Sequence, residues 1–153
     1  MDTRAPLVRA STFCSARFRS SLRTPPGLRR TRPEAIVQKQ LEAYNSRDIE
    51  AFTSAYSGDV QIFEHPAKLL ARGTEQLRQR YSERFKDPKL HAVILKRIVM
   101  GNLVVDHERV TRTFAEGTGT ADAVAIYEVE AGKINKVWLI PGPRRSTQSV
   151  GTR

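Results

Sequence analysis

The clearest patterning lies in Ala125–Ile140, AIYEVEAGKINKVWLI. Residues Ile126–Glu130 mix β-branched and aromatic types with acids at alternate places, Glu128 and Glu130. Ala131-Gly132 is a turn signal. Lys133–Ile140 then alternates again, with Ile134, Lys136, Trp138 and Ile140 on one face and Asn135, Val137 and Leu139 on the other. Two period-two runs joined through a glycine predict a β-hairpin. Alternation alone leaves open which of its faces is the inner one.

The pattern upstream extends this hairpin into a meander. Leu90–Met100 leads through Gly101-Asn102, a two-residue hairpin turn, into Leu103–Phe114. Glu116-Gly117-Thr118-Gly119 is the next turn, Thr120–Glu130 the next strand, and Pro141-Gly142-Pro143 is expected to end the last one.

Before the meander the period is helical. Pro33 suits a first helical position, Glu34 suits the positive helix start, and Ala35, Ile36, Leu41, Ala43 and Tyr44 form a stripe running to Asn45. Asp48 can cap a second, short helix over Ile49–Tyr56. Ser57-Gly58-Asp59 reads as a turn, Val60–His65 as a short strand closed by Pro66, and Lys68–Arg72 as a second short strand. Thr74 is the expected N-cap of a third helix, Glu75–Lys86, with Leu77, Tyr81 and Phe85 as its buried stripe. Asp87-Pro88 stops it. The order predicts an α+β fold: a curved antiparallel sheet of four long and two short strands, with three helices gathered on its concave face around a conical cavity.

Composition refines this picture at the ends. With 39% hydrophobic and 27% charged residues in 153, the chain reads as one globular domain with tails. The expected division is a basic, disordered extension over 1–33, a domain over 34–141 and a loose tail over 142–153. The net charge of +10 suggests nucleic acid until it is located: residues 1–33 carry eight arginines against the single acid Asp2. The domain itself is nearly balanced, so nucleic-acid binding is confined to a weak contribution of that tail. The Arg- and Ser-rich start matches an organellar transit peptide, a disordered basic arm or an extension without function, while a secretory signal lacks its apolar stretch. The reading is therefore a cytoplasmic protein, or an organellar one if residues 1–33 are a transit peptide. No apolar run approaches the roughly 18–20 residues of a membrane span.

Several chemistries are excluded. One cysteine, Cys14, allows no intrachain disulfide and no cysteine-based zinc site. The histidines at 65, 91 and 107 lack ligand spacing. Gly117-Thr118-Gly119 sits between strands, so it is no phosphate loop, and there is no Gly-x-Ser-x-Gly elbow. No cofactor or metal is implied.

Arg47-Asp48-Ile49-Glu50-Ala51, the Tyr56…Asp59-Val60 step, Glu64-His65-Pro66, Gly73 before a helix, and the Tyr127…Gly132-Lys133-Ile134…Val137-Trp138 hairpin together resemble the nuclear transport factor 2-like superfamily. Within it the chain is most similar to the SnoaL-like and steroid delta-isomerase-like branch, over about residues 34–141. The resemblance implies a cone-shaped α+β fold, frequent homodimers, and a cavity for an apolar small molecule. It also implies cofactor-free proton transfer that isomerises a double bond next to a carbonyl, or a non-catalytic binding or dimerisation module.

The resemblance also implies site residues. Ketosteroid isomerases place a proton-shuttling carboxylate before the proline that ends the first strand. Matching that proline puts His65 there, facing inward, with a reference pKa of about 6.5 suited to proton transfer near neutrality. The tyrosine and protonated aspartic acid that hold the isomerase oxyanion fall near Gln40 and on Val124 or Ala125, so neither carries over. Asp106 and Glu108 share one strand face, with His107 and Arg109 on the other. If the acid face points inward, Asp106 can pair with His65; if outward, the acids are a solvated face. Tyr44, Tyr56, Phe63, Tyr81, Tyr127 and Trp138 are candidate pocket walls, and Tyr44 could stand in for the missing donor.

Overall fold

The computed structural model describes residues 32–146. The arginine-rich extension up to residue 31, Cys14 within it, and residues 147–153 lie outside the described residues. Three helices and six strands follow in the order α1 (Pro33–Ser46), α2 (Ile49–Ser54), β1 (Tyr56–Glu64), β2 (Lys68–Arg72), α3 (Gly73–Arg84), β3 (His91–Met100), β4 (Leu103–Phe114), β5 (Gly117–Glu130) and β6 (Lys133–Ser146). The strands form one sheet in the order β2-β1-β6-β5-β4-β3, with β1 parallel to β6 and every other pair antiparallel. This is the α+β arrangement the pattern predicts, a curved open sheet with three helices. Among the described residues no helix is long and apolar enough to cross a membrane.

Helix α1 starts on Pro33 and Glu34 and ends where Arg47 turns left-handed at φ 58°. Asn45 near its end exchanges two hydrogen bonds with the backbone of Ala92, donating to its carbonyl at 2.9 Å and accepting from its amide at 2.7 Å. A side-chain amide thus imitates a strand partner and ties the helix to β3. Asp48 caps α2, accepting from the amides of Glu50 and Ala51 at 3.1 and 3.0 Å. Tyr44, Phe52, Tyr56, Tyr81 and Phe85 then meet as one aromatic cluster, with the Phe52 and Tyr81 rings 4.5 Å apart.

Several local signals are overridden. The expected turn at Ser57-Gly58-Asp59 lies inside β1. Tyr56 pairs with Ile134 and Gln61 with Lys136, so β1 spends five steps where β6 spends two, and the turn residues become an irregularity within a paired strand. Thr74 does not cap α3: its hydroxyl donates to the Ser57 carbonyl at 3.5 Å, the helix begins at Gly73, and Arg72 is the N-cap. Helix α2 stops at Ser54, two residues before the expected Tyr56, because Tyr56 is taken by the sheet.

Nor does Pro141-Gly142-Pro143 end β6, which runs to Ser146 beside β5; the tail expected to be loose from 142 is strand that far. Pairing with β1 stops at Leu139, so beyond it β6 has one open edge, where proline is tolerated. A Cβ at Gly142 would stand 2.7 Å from the Asp122 carbonyl oxygen, so only glycine fits where β6 crosses the irregularity of β5 between Ala121 and Ala123.

A second irregularity settles the hairpin's faces. Val129 pairs with Ile134 but Glu128 with Lys136, leaving Asn135 as an extra residue. Ile134 and Val137, which strict alternation puts on opposite faces, are therefore both buried, at 0% and 2% exposure. From Val137 onward the inner face is Val137 and Leu139, and Lys136, Trp138 and Ile140 point away from the helices.

Candidate functional site

Between the helices and the inner sheet face lies a cavity of about 210 Å³. Its lining brings together all four tyrosines of the chain, Tyr44, Tyr56, Tyr81 and Tyr127, with Gln40 and Glu108. Each arrives by a simple route. Gln40 and Tyr44 are one turn apart on α1, Tyr81 is on the buried stripe of α3, and Tyr56 opens β1. Glu108 and Tyr127 stand on the inward faces of β4 and β5, in register with Ala123 and Val104 respectively.

The electrostatics of this cavity are set by burial. Desolvation raises the hydroxyl pKa of every one of the four tyrosines, so all stay protonated and available as donors. Gln40 beside Tyr56 and Arg84 beside Tyr44 each offset part of this rise, and Arg84 lies over the Tyr81 ring, 5.6 Å from its centroid. Glu108 has its pKa pushed up to about 7, first by desolvation, then by the neighbouring Asp106 charge, with Arg84 pulling the other way. A carboxyl so placed exchanges a proton near neutral pH, which neither a solvated nor an ion-paired one does.

Asp106 points to the same side of β4 but does not line the cavity. It is 1% exposed and closed in a bidentate pair with Arg97, Nε to Oδ1 and Nη2 to Oδ2, both 2.7 Å. Arg97 also donates to Gln38 at 3.0 Å. Asp106 acts on the cavity through its charge, and it makes no pair with His65.

His65 is exposed and is not part of the cavity wall. Val60 and Ile62 are buried at 0%, which fixes the parity of β1: Glu64 turns inward and His65 outward. Matching by the proline alone misses this, because it ignores the apolar residues two and four places earlier. Glu64 lines the cavity in its place. Phe63 and Trp138, expected as walls, lie on the outer sheet face, their rings stacked with centroids 6.2 Å apart and 18° between planes. Sequence reasoning gave no role to Gln40, Glu64, Arg80, Arg84, Arg112 and Arg144, all of which line the cavity. The arginines at 80 and 84 carried a readable signal: each lies three residues after a stripe residue, Arg80 after Leu77 and Arg84 after Tyr81, in a helix that must cover the cavity.

The positions answering to the isomerase donors are now placed. Gln40 faces the cavity, and Ala125, 0% exposed, is the inward one of the pair Val124 and Ala125. No tyrosine or aspartic acid stands at either. Among the described residues no three His, Cys, Asp or Glu side chains converge so as to hold a metal ion.

A six-stranded curved sheet around an inner cavity closed by three helices defines the nuclear transport factor 2-like class of proteins. The chain belongs to the SnoaL-like domain family, whose model matches residues 37–137. Among solved structures, an uncharacterized cystatin-fold protein from Novosphingobium aromaticivorans is 25% identical, with a TM-score of 0.65 over 71% of this chain and 97% of that one. A putative SnoaL-like polyketide cyclase from Jannaschia sp. CCS1 is 16% identical, with a TM-score of 0.63 over 72% and 85%. An epoxide hydrolase of the LEH-like type from M. tuberculosis is 15% identical, with a TM-score of 0.62 over 72% and 83%. None of the curated proteins matches the chain in sequence.

Proposed function

We propose that the protein is a cofactor-free proton-transfer catalyst of the SnoaL-like family, acting next to the carbonyl of a small organic molecule, with Glu108 as the base. The observation that carries this reading is Glu108 itself, a carboxyl on the cavity wall whose pKa is pushed up to about 7. In that range a group is both populated as a base and strong enough to accept a proton from carbon activated by a carbonyl. The tyrosines supply protonated hydroxyls that can polarise the carbonyl oxygen, the electrostatic part of enolisation. The guanidinium of Arg84 beside Tyr44 opposes the desolvation that weakens this hydroxyl as a donor. A double-bond shift follows if the proton removed from one side of the carbonyl system is returned to another carbon by the same carboxyl.

The cavity, at about 210 Å³, lies below the roughly 300 Å³ at which pockets for drug-sized ligands begin, so the substrate is smaller than a steroid. The test is conversion of 3-cyclohexenone to its conjugated isomer, followed by absorbance. Wild type should accelerate it and Glu108→Gln should not. Turnover undiminished in Glu108→Gln would remove Glu108 from the role.

A non-catalytic binding module is favoured by one observation, the Gln40 and Ala125 found where isomerases carry their donors. It predicts binding of small ketones with no exchange of their α-protons.

We infer further that the outer sheet face pairs with a second copy of the chain. Phe63, Trp138, Ile126, Val105 and Ile98 stand in register across five strands as one apolar row. The row is flanked by Arg109 with Asp122 on one side and Glu128 with Lys136 on the other, each an internal ion pair, so a like face meets it without charge repulsion.

A further inference from the structure

The cavity is lined by more cations than its tyrosines need. Arg80 and Arg84 come from α3, Arg112 from β4 and Arg144 from β6. Arg112 and Arg144 grip the Phe114 ring from 4.6 and 5.1 Å, which fixes both guanidiniums at one end of the cavity. Arg84 reaches the same region from the opposite side. Burial and the like charges of Arg84 and Arg144 lower the pKa of Arg112, so these guanidiniums oppose one another.

The three acids of the lining do not balance them. Asp122 borders the cavity through its backbone and turns its carboxylate to the outer sheet face, where Arg109 holds it, Nε to Oδ1 at 2.7 Å. Glu64 is 40% exposed in its side chain and faces Lys68 at 3.7 Å. Glu108, with its pKa near 7, carries only part of a charge at neutral pH. Asp87, whose charge also reaches Arg112, accepts from the Thr113 amide and hydroxyl at 2.6 and 3.0 Å and from the Lys89 amide at 2.9 Å. Arg84 and Arg112 are half-buried and Arg144 is exposed at the mouth; like charges held this close cost free energy that an entering anion relieves.

We propose that the substrate is a compact keto carboxylate, its carboxylate held by Arg84, Arg112 and Arg144 and its ketone directed to the tyrosines and Glu108. The planar fork of a guanidinium matches a carboxylate by paired hydrogen bonds. The small cavity leaves room for little beyond these two groups and a short skeleton between them. The inference rests on the cavity's being the substrate site, and it names the class of molecule that the site takes.

The experiment is calorimetric titration of the full chain with benzoate and with its neutral isostere benzamide. Benzoate should bind at least about tenfold more tightly, and rising chloride should weaken benzoate while leaving benzamide unchanged. In an Arg112→Gln, Arg144→Gln double variant, which keeps Arg84, the preference should fall at least about fivefold with benzamide affinity intact. Absence of benzoate binding, equal or tighter benzamide binding in wild type, or a preference undiminished in a folded double variant would overturn the proposal. So would tighter binding of phenyl phosphate than of benzoate. Because the chloride arm uses wild type alone, a double variant that does not fold leaves the test standing. Glu108→Gln should keep the benzoate preference, so loss of catalysis in that variant and loss of anion selectivity here report on separate claims.

Discussion

Asp106 and Glu108, two residues apart on one face of β4, divide the possible fates of an inward carboxyl. Asp106 is closed in two 2.7 Å bonds to Arg97, while Glu108 faces the cavity with that charge behind it and has its pKa pushed up to about 7. Burial is the first cause of that rise, and the charge of Asp106 adds to it.

The rate of any Glu108-dependent proton abstraction should rise with pH through a midpoint near 7 and level off above it. Exchange of α-protons of 4-oxopentanoate into deuterium oxide, followed by proton NMR, checks this. A profile flat between pH 5 and 9 would separate the exchange from Glu108.

Stability should carry the opposite sign. The folded-state pKa of Glu108 is raised above its unfolded value of 4.5, so between the two the folded state holds the proton and the unfolded state releases it. Stability attributable to this group is greatest below about 4.5 and falls as pH rises towards 7. Glu108→Gln removes that loss: it should be nearly neutral at pH 4.5 and stabilising at pH 8 by up to about 3 kcal/mol. Urea unfolding at the two pH values measures it.

Asp106→Asn should shift the pH–rate midpoint downward, because the Asp106 charge is the second cause of the Glu108 shift. Arg97→Met leaves Asp106 buried without its cation and should cost about 2–3 kcal/mol, somewhat below a fully buried pair because Arg97 keeps 21% of its side-chain exposure. The double variant Arg97→Met, Asp106→Leu should recover most of that stability. An unchanged midpoint in Asp106→Asn would show that desolvation alone sets Glu108.

Gly142→Ala brings a methyl to 2.7 Å from the Asp122 carbonyl oxygen, backbone against backbone. It should destabilise by about 1–3 kcal/mol, as overpacking does. Removing the α2 cap with Asp48→Ala should cost about 1 kcal/mol. Thermal unfolding of both variants ranks them, and the glycine variant should also disturb ligand binding, since Gly142 lines the cavity.

Ile126→Glu puts a charge at the centre of the outer apolar row and should convert a dimer to monomer without altering the benzoate preference. Light scattering on a sizing column at working concentration gives the mass. A monomeric wild type would show that this face does not meet a second copy.

The element order, the meander and the number of helices were legible because they rest on local signals. Periods of 2 and 3.6, the Asp48 cap and the Gly101-Asn102 and Ala131-Gly132 turns act within a few residues of themselves. The tyrosines were legible as wall candidates because large amphipathic rings on buried stripes have few other places to go. Face assignment was not legible in the same way. It passes through two irregularities, the five-against-two step of β1 on β6 and the extra residue Asn135, and each depends on what the partner strand does.

The sequence by itself determined that an α+β domain of this class forms and that Glu108 shares a strand face with Asp106. Only the tertiary structure decided that this face points inward, that Glu64 takes the place expected for His65, and that Arg84, Arg112 and Arg144 converge from α3, β4 and β6. The physical reason is range. Propensity and periodicity act along the chain, but desolvation and charge act through space, and residues 84, 112 and 144 become neighbours only after α3 has packed over the curved sheet.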